Sequence, residues 1–107
     1  MSTAPTTEVL RMADLVSYQE GSVVSRQITK ADAGNVTLFA FDLDQELSEH
    51  TAPYDALVYV LEGRAEIRIG GEPFVLQDGD AIVMPANIPH ALKALARFKM
   101  LLTMIRA

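Results

Sequence analysis

Residues 50–63 read HTAPYDALVYVLEG, and this stretch decides the fold. It places His50, one of two histidines in the chain, ahead of a continuous apolar run at residues 57–61 that stops at a Glu-Gly pair. A short apolar run that ends at a glycine turn predicts a buried β-strand. A second stretch, residues 79–90, reads GDAIVMPANIPH and ends on the other histidine, His90. We therefore expect the chemistry of this protein where the two stretches meet.

The sequence around these stretches predicts further short strands. Residues 64–69 alternate between apolar and charged side chains, and the following Gly70 and Gly71 supply the positive φ angles of a two-residue hairpin. Residues 9–16 fit neither the helical nor the strand period and are compatible with a short helix or an edge strand; we favour a strand because the rest of the chain has strand patterns. A series of short strands without a long helix predicts an all-β, antiparallel barrel or sandwich. The other predicted strands cover residues 22–29, 36–43, 73–76, 81–84, 90–95 and 98–105.

Length and composition limit the classes to which the chain can belong. Its 107 residues suffice for one domain, and we expect a disordered tail at residues 1–7 and a single domain at residues 8–107. The net charge of −5 argues against nucleic-acid binding, which favours a basic face. No apolar run approaches the roughly 18 residues of a membrane span, and no signal-peptide pattern is visible. The chain lacks cysteine and thus a disulfide framework, and we expect a cytoplasmic protein without membrane partners.

The two histidine-containing stretches resemble the paired signature of the cupin superfamily, whose members are small antiparallel jelly-roll barrels, also called double-stranded β-helices. The first cupin motif runs from a glycine through His-x-His and a carboxylate or amide to a closing glycine. The matching positions here are Asp44, His50, Ala52, Ala56 and Gly63. The resemblance implies an all-β cupin jelly roll.

The second cupin motif contains a glycine, a proline, a second glycine, a histidine and an asparagine. The matching positions are Gly79, Pro85, Asn87, His90 and Ala94. Asn87 is a mild replacement for glycine, because asparagine tolerates the left-handed backbone conformation well.

Metal-binding cupins use three histidines and one carboxylate or amide, and this sequence keeps His50 and His90 with alanine at the other two positions. Residues two apart on a strand point to the same side, so we expect His50, Ala52 and Ala56 to face the barrel interior, opposite His90. Two imidazoles and water can bind a divalent transition metal such as Zn, Mn, Fe, Ni or Cu. A cavity without metal, in which the two histidines are hydrogen-bonded to each other or to water, is an equally open alternative.

Two residues are candidates for a third metal ligand. Asp55 would face the interior if Pro53 introduces a bulge that reverses the alternation of the strand. Tyr54 would likewise need a local register change. The sequence thus predicts an interior that is wider and more apolar than that of a cupin with the full ligand set.

The function that this pattern predicts is the binding of a small molecule in the barrel cavity, with or without a metal at His50 and His90. One alternative is acid/base chemistry of the isomerase type without metal, in which a neutral histidine acts as general base and Tyr54 or Tyr59 as acid. Tyr59 is expected to point away from the cavity. Another alternative is a non-catalytic binding or sensor domain. Whether the protein is an enzyme is left open.

We also expect a homodimer. Leu57, Tyr59 and Leu61 lie on the side of their strand opposite the cavity and need to be covered. The resemblance implies that such a sheet pairs with a second copy, often with an exchanged N-terminal strand, for which residues 9–16 are suited.

Two further groups of residues are assigned to structure rather than to function. The acidic residues Asp42, Asp44, Glu46 and Glu49 fit no calcium loop and predict a solvated edge. The apolar residues of two strands predict core, namely Phe39, Phe41, Phe98, Met100, Leu102 and Met104.

Overall fold

The structure, a computed structural model, describes residues 7–107. Of the disordered tail expected at residues 1–7, only Thr7 falls within the described residues. No helix in this part of the chain is long and apolar enough to cross a membrane. Its elements are a 3₁₀ helix, Met12–Asp14, and the strands β1 Val23–Ala31, β2 Gly34–Phe41, β3 Glu46–His50, β4 Tyr54–Glu62, β5 Arg64–Ile69, β6 Glu72–Gln77, β7 Ala81–Met84, β8 His90–Ala94 and β9 Phe98–Arg106.

The strands form two antiparallel sheets that pack face to face. The five-stranded sheet has the order β1-β2-β9-β4-β7, and the four-stranded sheet has the order β3-β8-β5-β6. From β2 onward the chain changes sheets at most of its turns, so that strands distant in sequence become neighbours. This is the antiparallel jelly-roll barrel predicted from the sequence.

The core lies between the sheets because each central strand turns alternate apolar side chains inward. On β4, Ala56, Val58 and Val60 are buried, whereas Leu57 and Tyr59 between them are exposed. The predicted core residues are confirmed, since Phe41, Phe98 and Met100 are fully buried and Phe39, Leu102 and Met104 pack against them.

Backbone conformation explains the two places where acidic or amide residues replace the glycines of the motif. Asp44 and Asn87 are the non-glycine residues with positive φ within residues 7–107, at 66° and 64°. Short polar side chains tolerate this conformation, so the substitutions preserve the turns. Gly63 also has positive φ, and a Cβ there would collide with the carbonyl oxygen of Arg97. The hairpin turn predicted at Gly70 and Gly71 is present, with φ of 59° and 83°.

The strand predicted in residues 9–16 is wrong. The segment forms the 3₁₀ helix Met12–Asp14 and then crosses the outer face of the five-stranded sheet. The apolar side chains of residues 12–18, hereafter the N-terminal segment, cover Leu38 and Ala40, which are fully buried. A segment that lies flat across a sheet needs no strand partner, and this explains why its apolar residues follow neither period.

The acidic stretch is a solvated edge only in part. Asp44, Glu46 and Glu49 are exposed, but Asp42 is only 9% exposed. Asp42 accepts hydrogen bonds from the Gly21 amide and from Arg97 Nε, each at 2.7 Å. These bonds join the start of β1 and the start of β9 to the end of β2.

Candidate functional site

Two neighbouring strands of the four-stranded sheet bring the histidines together. His50 ends β3 and His90 begins β8, and the two residues are direct partners in the antiparallel register. Their Nε2 atoms are 3.0 Å apart, and the rings meet edge to face with centroids 4.3 Å apart and an interplanar angle of 70°. This placement agrees with the expectation that both imidazoles face one cavity.

Backbone carbonyls hold the outer nitrogen of each ring. His50 Nδ1 lies 2.7 Å from the Ser48 carbonyl oxygen, and His90 Nδ1 lies 3.2 Å from the Ile88 carbonyl oxygen. A carbonyl oxygen only accepts, so each bond places the proton on Nδ1 and leaves a lone pair on Nε2. Two such lone pairs at 3.0 Å repel each other unless a cation or a proton lies between them. In a neutral, metal-free pair one ring must release its carbonyl, and the longer bond of His90 is the weaker of the two.

The histidines line a cavity of about 130 Å³ between the sheets. His50 is exposed at the mouth, whereas His90 is 6% exposed and lies further inside. Apart from the histidines and Tyr54, the lining is apolar, with side chains from both sheets: Phe39, Leu47, Ala52, Ala56, Met84, Leu92, Met100, Leu102 and Met104. The site is therefore a small apolar pocket with a single pair of nitrogen donors.

Burial lowers the pKa of His90 below its ordinary value of 6.5. The hydrogen bond to Ile88 opposes this shift, and the neighbouring His50 adds to it. Burial of His90 therefore favours the neutral imidazole, which is the form that binds a metal or accepts a proton.

The residues that the sequence placed around the site fall into two groups. Ala52 and Ala56 line the cavity as expected, and Tyr54 lines it as well without any change of register. Asp55 does not face the cavity; its Oδ1 accepts a hydrogen bond from the Ala86 amide at 2.9 Å and holds the loop between β7 and β8. The structure thus removes Asp55 from the possible third ligands and keeps Tyr54 in the cavity wall.

Three of the chain's five methionines are site residues that the sequence analysis treated only as core or as a strand end. They are Met84, Met100 and Met104. The alternation along β9 already placed Met100 and Met104 on the inward face. What sequence alone lacked was the register, which sets Met84 and Met104 on either side of Ala56.

No group of three or more His, Asp or Glu side chains within residues 7–107 is arranged to hold a metal ion. The residues that can do so are the two histidines. At a metal–nitrogen distance of ~2.0–2.1 Å, two imidazoles bound to one ion at an angle between about 90° and the tetrahedral angle have their nitrogens ~2.9–3.4 Å apart. The observed 3.0 Å fits this arrangement, and carbonyls that orient the far nitrogen are typical of metal-binding histidines.

Comparison with known proteins agrees with this architecture. A conserved protein of unknown function from Streptococcus pyogenes has a solved structure that superposes with a TM-score of 0.90, at 37% identity over 95% of this chain and 90% of the other. A cupin superfamily protein from Desulfitobacterium hafniense superposes with a TM-score of 0.89, at 29% identity over 96% of this chain and 94% of the other.

Among curated proteins, the chain is 33% identical over 64 residues to the polyketide synthase CurC of Streptomyces cyaneus, a match that covers 59% of this chain. The chain spans only 42% of the length of that relative. The cupin domain family matches residues 38–105, which contain both histidines and eight of the nine strands in whole or in part. Membership of this family supports a binding or enzymatic role of the cupin type. Taken together, the fold, the site and the match to the family show that this chain belongs to the cupin family.

Proposed function

We propose that the barrel binds a small, largely apolar molecule in its cavity, together with a transition metal ion held by His50 and His90. The observation that carries the proposal is the convergence of two Nε2 atoms at 3.0 Å while both Nδ1 atoms face backbone carbonyls. This arrangement pre-orients two lone pairs toward one point, as a metal site requires. A divalent ion such as Zn, Mn, Fe, Ni or Cu would relieve the repulsion between them.

The cavity limits the size and chemistry of the molecule that fits beside the histidines. Its volume of about 130 Å³ is close to that of the ~150 Å³ protein cavities that accommodate benzene, and well below the ~300 Å³ at which drug-sized pockets begin. Its apolar walls offer no carboxylate or amide with which to orient a polar substrate. We therefore expect a compact ligand with a single donor or acceptor group at the histidines.

Metal analysis tests the proposal directly. The purified protein is incubated separately with Zn, Mn, Fe, Co, Ni and Cu salts, with copper supplied both as Cu(II) and, anaerobically, as Cu(I), and is then desalted and analysed for bound metal. We expect about one ion per chain for at least one metal, and loss of that ion in the His50→Ala, His90→Ala double variant. Glu49→Ala is the matched control, because Glu49 is an exposed donor beside His50 outside the cavity lining. Metal content far below one ion per chain under all conditions would remove the metal from the proposal.

A second function is supported by the position of Tyr54. This phenol lines the same cavity as the histidine pair, and a neutral histidine with a nearby phenol can exchange protons with a bound molecule. Without metal, the barrel would then act as an acid/base isomerase, or simply as a binding or sensor domain. A Tyr54→Phe variant separates these cases: loss of turnover with retained ligand binding indicates acid/base chemistry, whereas no effect indicates a binding domain.

We further infer that two copies of the chain associate through the outer face of the five-stranded sheet. Four exposed apolar side chains on three adjacent strands form a patch there, hereafter the outer patch: Leu57, Tyr59, Val83 and Ile105, which are 41, 39, 54 and 59% exposed. The exposed Asp55, the register partner of Ile105, lies on the same face. The N-terminal segment covers the adjoining part of this face, including Leu61, while Val9 ahead of it is 98% exposed. In a symmetric dimer, the outer patch of each chain would contact the apolar residues ahead of the N-terminal segment of the other chain, such as Val9.

A further inference from the structure

We propose that the metal for which this cavity is built is monovalent copper, Cu(I), bound by the two histidines together with the thioether sulfurs of Met84 and Met104. The inference rests on the proposed function, because it needs a metal at His50 and His90. It assigns a role to methionines that would otherwise be only core, and it names the chemical class of the ion.

The strand register places two methionines in the lining that also contains the histidines. Met84 on β7 and Met104 on β9 are the register partners of Ala56 on β4 from either side. Ala56 stands where metal-binding cupins carry their carboxylate or amide ligand. All five side chains line the same cavity. The part of the lining that β4, β7 and β9 contribute therefore carries two methionines beside the position at which the family pattern has a harder oxygen or nitrogen donor.

The donors in the cavity are soft. Thioether and imidazole ligands favour Cu(I), whereas Mn, Mg and Ca favour carboxylate, carbonyl and water oxygens. The cavity lining contains no Asp or Glu, and the chain contains no cysteine. Tyr54 is the one oxygen-bearing side chain among the lining residues. The donor set that remains after the histidines is thus dominated by sulfur.

The charge of the ligands also favours a monovalent ion. All of these ligands are neutral, so the net charge of the site equals the charge of the ion. The cost of transferring an ion into an apolar medium rises with the square of its charge, so a divalent ion costs about four times as much as a monovalent one. The walls beyond the solvent-exposed His50 are mostly apolar, and their residues are buried, as Met84 is at 3% exposure, or half-buried, as Met104 is. A site of this kind discriminates against divalent ions in favour of Cu(I).

The test is a pair of competition titrations on the full chain. Metal-free protein is titrated anaerobically with Cu(I) against a chromophoric Cu(I) chelator, and separately with Zn(II) against a Zn(II) chelator. The variant is the Met84→Leu, Met104→Leu double substitution, which keeps the shape and apolar character but removes both sulfurs. The matched control is Met12→Leu, which changes a methionine in the 3₁₀ helix outside the cavity.

We expect the double variant to bind Cu(I) at least about 10- to 100-fold more weakly than the unmodified protein, because loss of an outer-shell partner alone has an effect of this size. Zn(II) affinity should stay unchanged, and Met12→Leu should match the unmodified protein in both titrations. X-ray absorption at the copper edge should detect sulfur as well as nitrogen neighbours in the unmodified protein. This measurement needs no variant, so it decides the question even where the double substitution disturbs folding.

The results that would overturn the inference are separable from failure of the metal site. Equal Cu(I) affinity in the unmodified protein and the double variant, with nitrogen neighbours alone, refutes the role of the thioethers and leaves the histidine site intact. A protein that binds Zn(II) tightly but not Cu(I) refutes the choice of ion in the same way. A protein that binds neither ion refutes both the inference and the metal on which it rests.

Discussion

The Tyr18 hydroxyl donates a hydrogen bond to Glu62 Oε2 at 2.7 Å and so connects the N-terminal segment to the end of β4. The cationic groups of Arg97 and Lys99 lie 5.4 and 5.1 Å from the centre of the Tyr18 ring. Burial and the Glu62 acceptor both raise the pKa of Tyr18, so the phenol remains protonated and able to donate into the alkaline range. This contact fixes the segment that covers Leu38.

Replacing Tyr18 with Phe should therefore loosen the N-terminal segment. The ring contacts remain and only the hydroxyl is lost, so we expect a decrease of about 1.5 kcal/mol in the free energy of unfolding, the lower end of the range for hydrogen bonds to charged groups. Urea denaturation measures this decrease, and hydrogen exchange should become faster at residues 12–18. Tyr59→Phe removes a hydroxyl from the outer face of the same sheet and serves as control. A Tyr18→Phe protein with unchanged stability and exchange would contradict the anchoring role.

Asp42 should make stability depend on pH in the acid range. Hydrogen bonds from the Gly21 amide and from Arg97 lower its pKa from 3.8 to about 2. Because the folded state binds the proton less readily than the unfolded state, Asp42 contributes its full stabilisation above pH 3.8 and loses it as the pH falls toward 2. The difference in unfolding free energy between the unmodified protein and Asp42→Asn should therefore be constant at neutral pH and shrink between these values.

Urea titrations from pH 7 to pH 2 on Asp42→Asn, Arg97→Ala and the double variant test this dependence. The double-mutant cycle isolates the coupling between the two side chains, and this coupling should vanish once Asp42 is protonated. A coupling that stays the same at the lowest pH would show that the carboxylate charge is not its source.

The sequence predicted the barrel well because strand chemistry is local. Alternation in residues 64–69 and the turn at Gly70 and Gly71 specify a hairpin before any tertiary contact is known, and the structure contains β5, β6 and their turn at these positions. The failure at residues 9–16 has the opposite cause. Those residues are shaped by the surface on which they lie, and a segment docked across a sheet carries no period of its own.

The site was predictable in its histidines and not in its methionines. His50 and His90 belong to recognisable motifs, and strand parity placed Ala52 and Ala56 beside them in the cavity wall. Met84 and Met104, by contrast, are 20 positions apart in sequence, and only the register of β7 and β9 against β4 makes them neighbours of one residue. Asp42 was misjudged for the same reason, because its partner Arg97 lies 55 residues away.

A charge in the outer patch should dissociate the proposed dimer. Tyr59→Glu would bury a carboxylate in an apolar contact without a partner, which is strongly unfavourable. Sedimentation or light scattering should then give the mass of a monomer for this variant and of a dimer for the unmodified protein. Val75→Glu is the matched control, since Val75 is 53% exposed on the other sheet. A Tyr59→Glu dimer would refute this interface, and a monomeric unmodified protein would refute the dimer.

Ala52→His should strengthen metal binding if the cavity wall has the predicted orientation. Ala52 corresponds to the second histidine of the cupin motif and lines the cavity together with His50 and His90. A third imidazole would complete the three-ligand set common in zinc sites, and we expect Zn(II) affinity to rise at least about tenfold, or ~1.4 kcal/mol. Competition titration with a Zn(II) chelator measures the change.

The matched control for this gain is Thr51→His. Thr51 is exposed and outside the cavity lining, so a histidine there adds the same donor to the chain without placing it at the site. Zn(II) affinity should then equal that of the unmodified protein. If both variants bind Zn(II) equally and remain folded, then position 52 does not face the histidine pair as a ligand, and the predicted orientation of this part of the cavity wall is refuted.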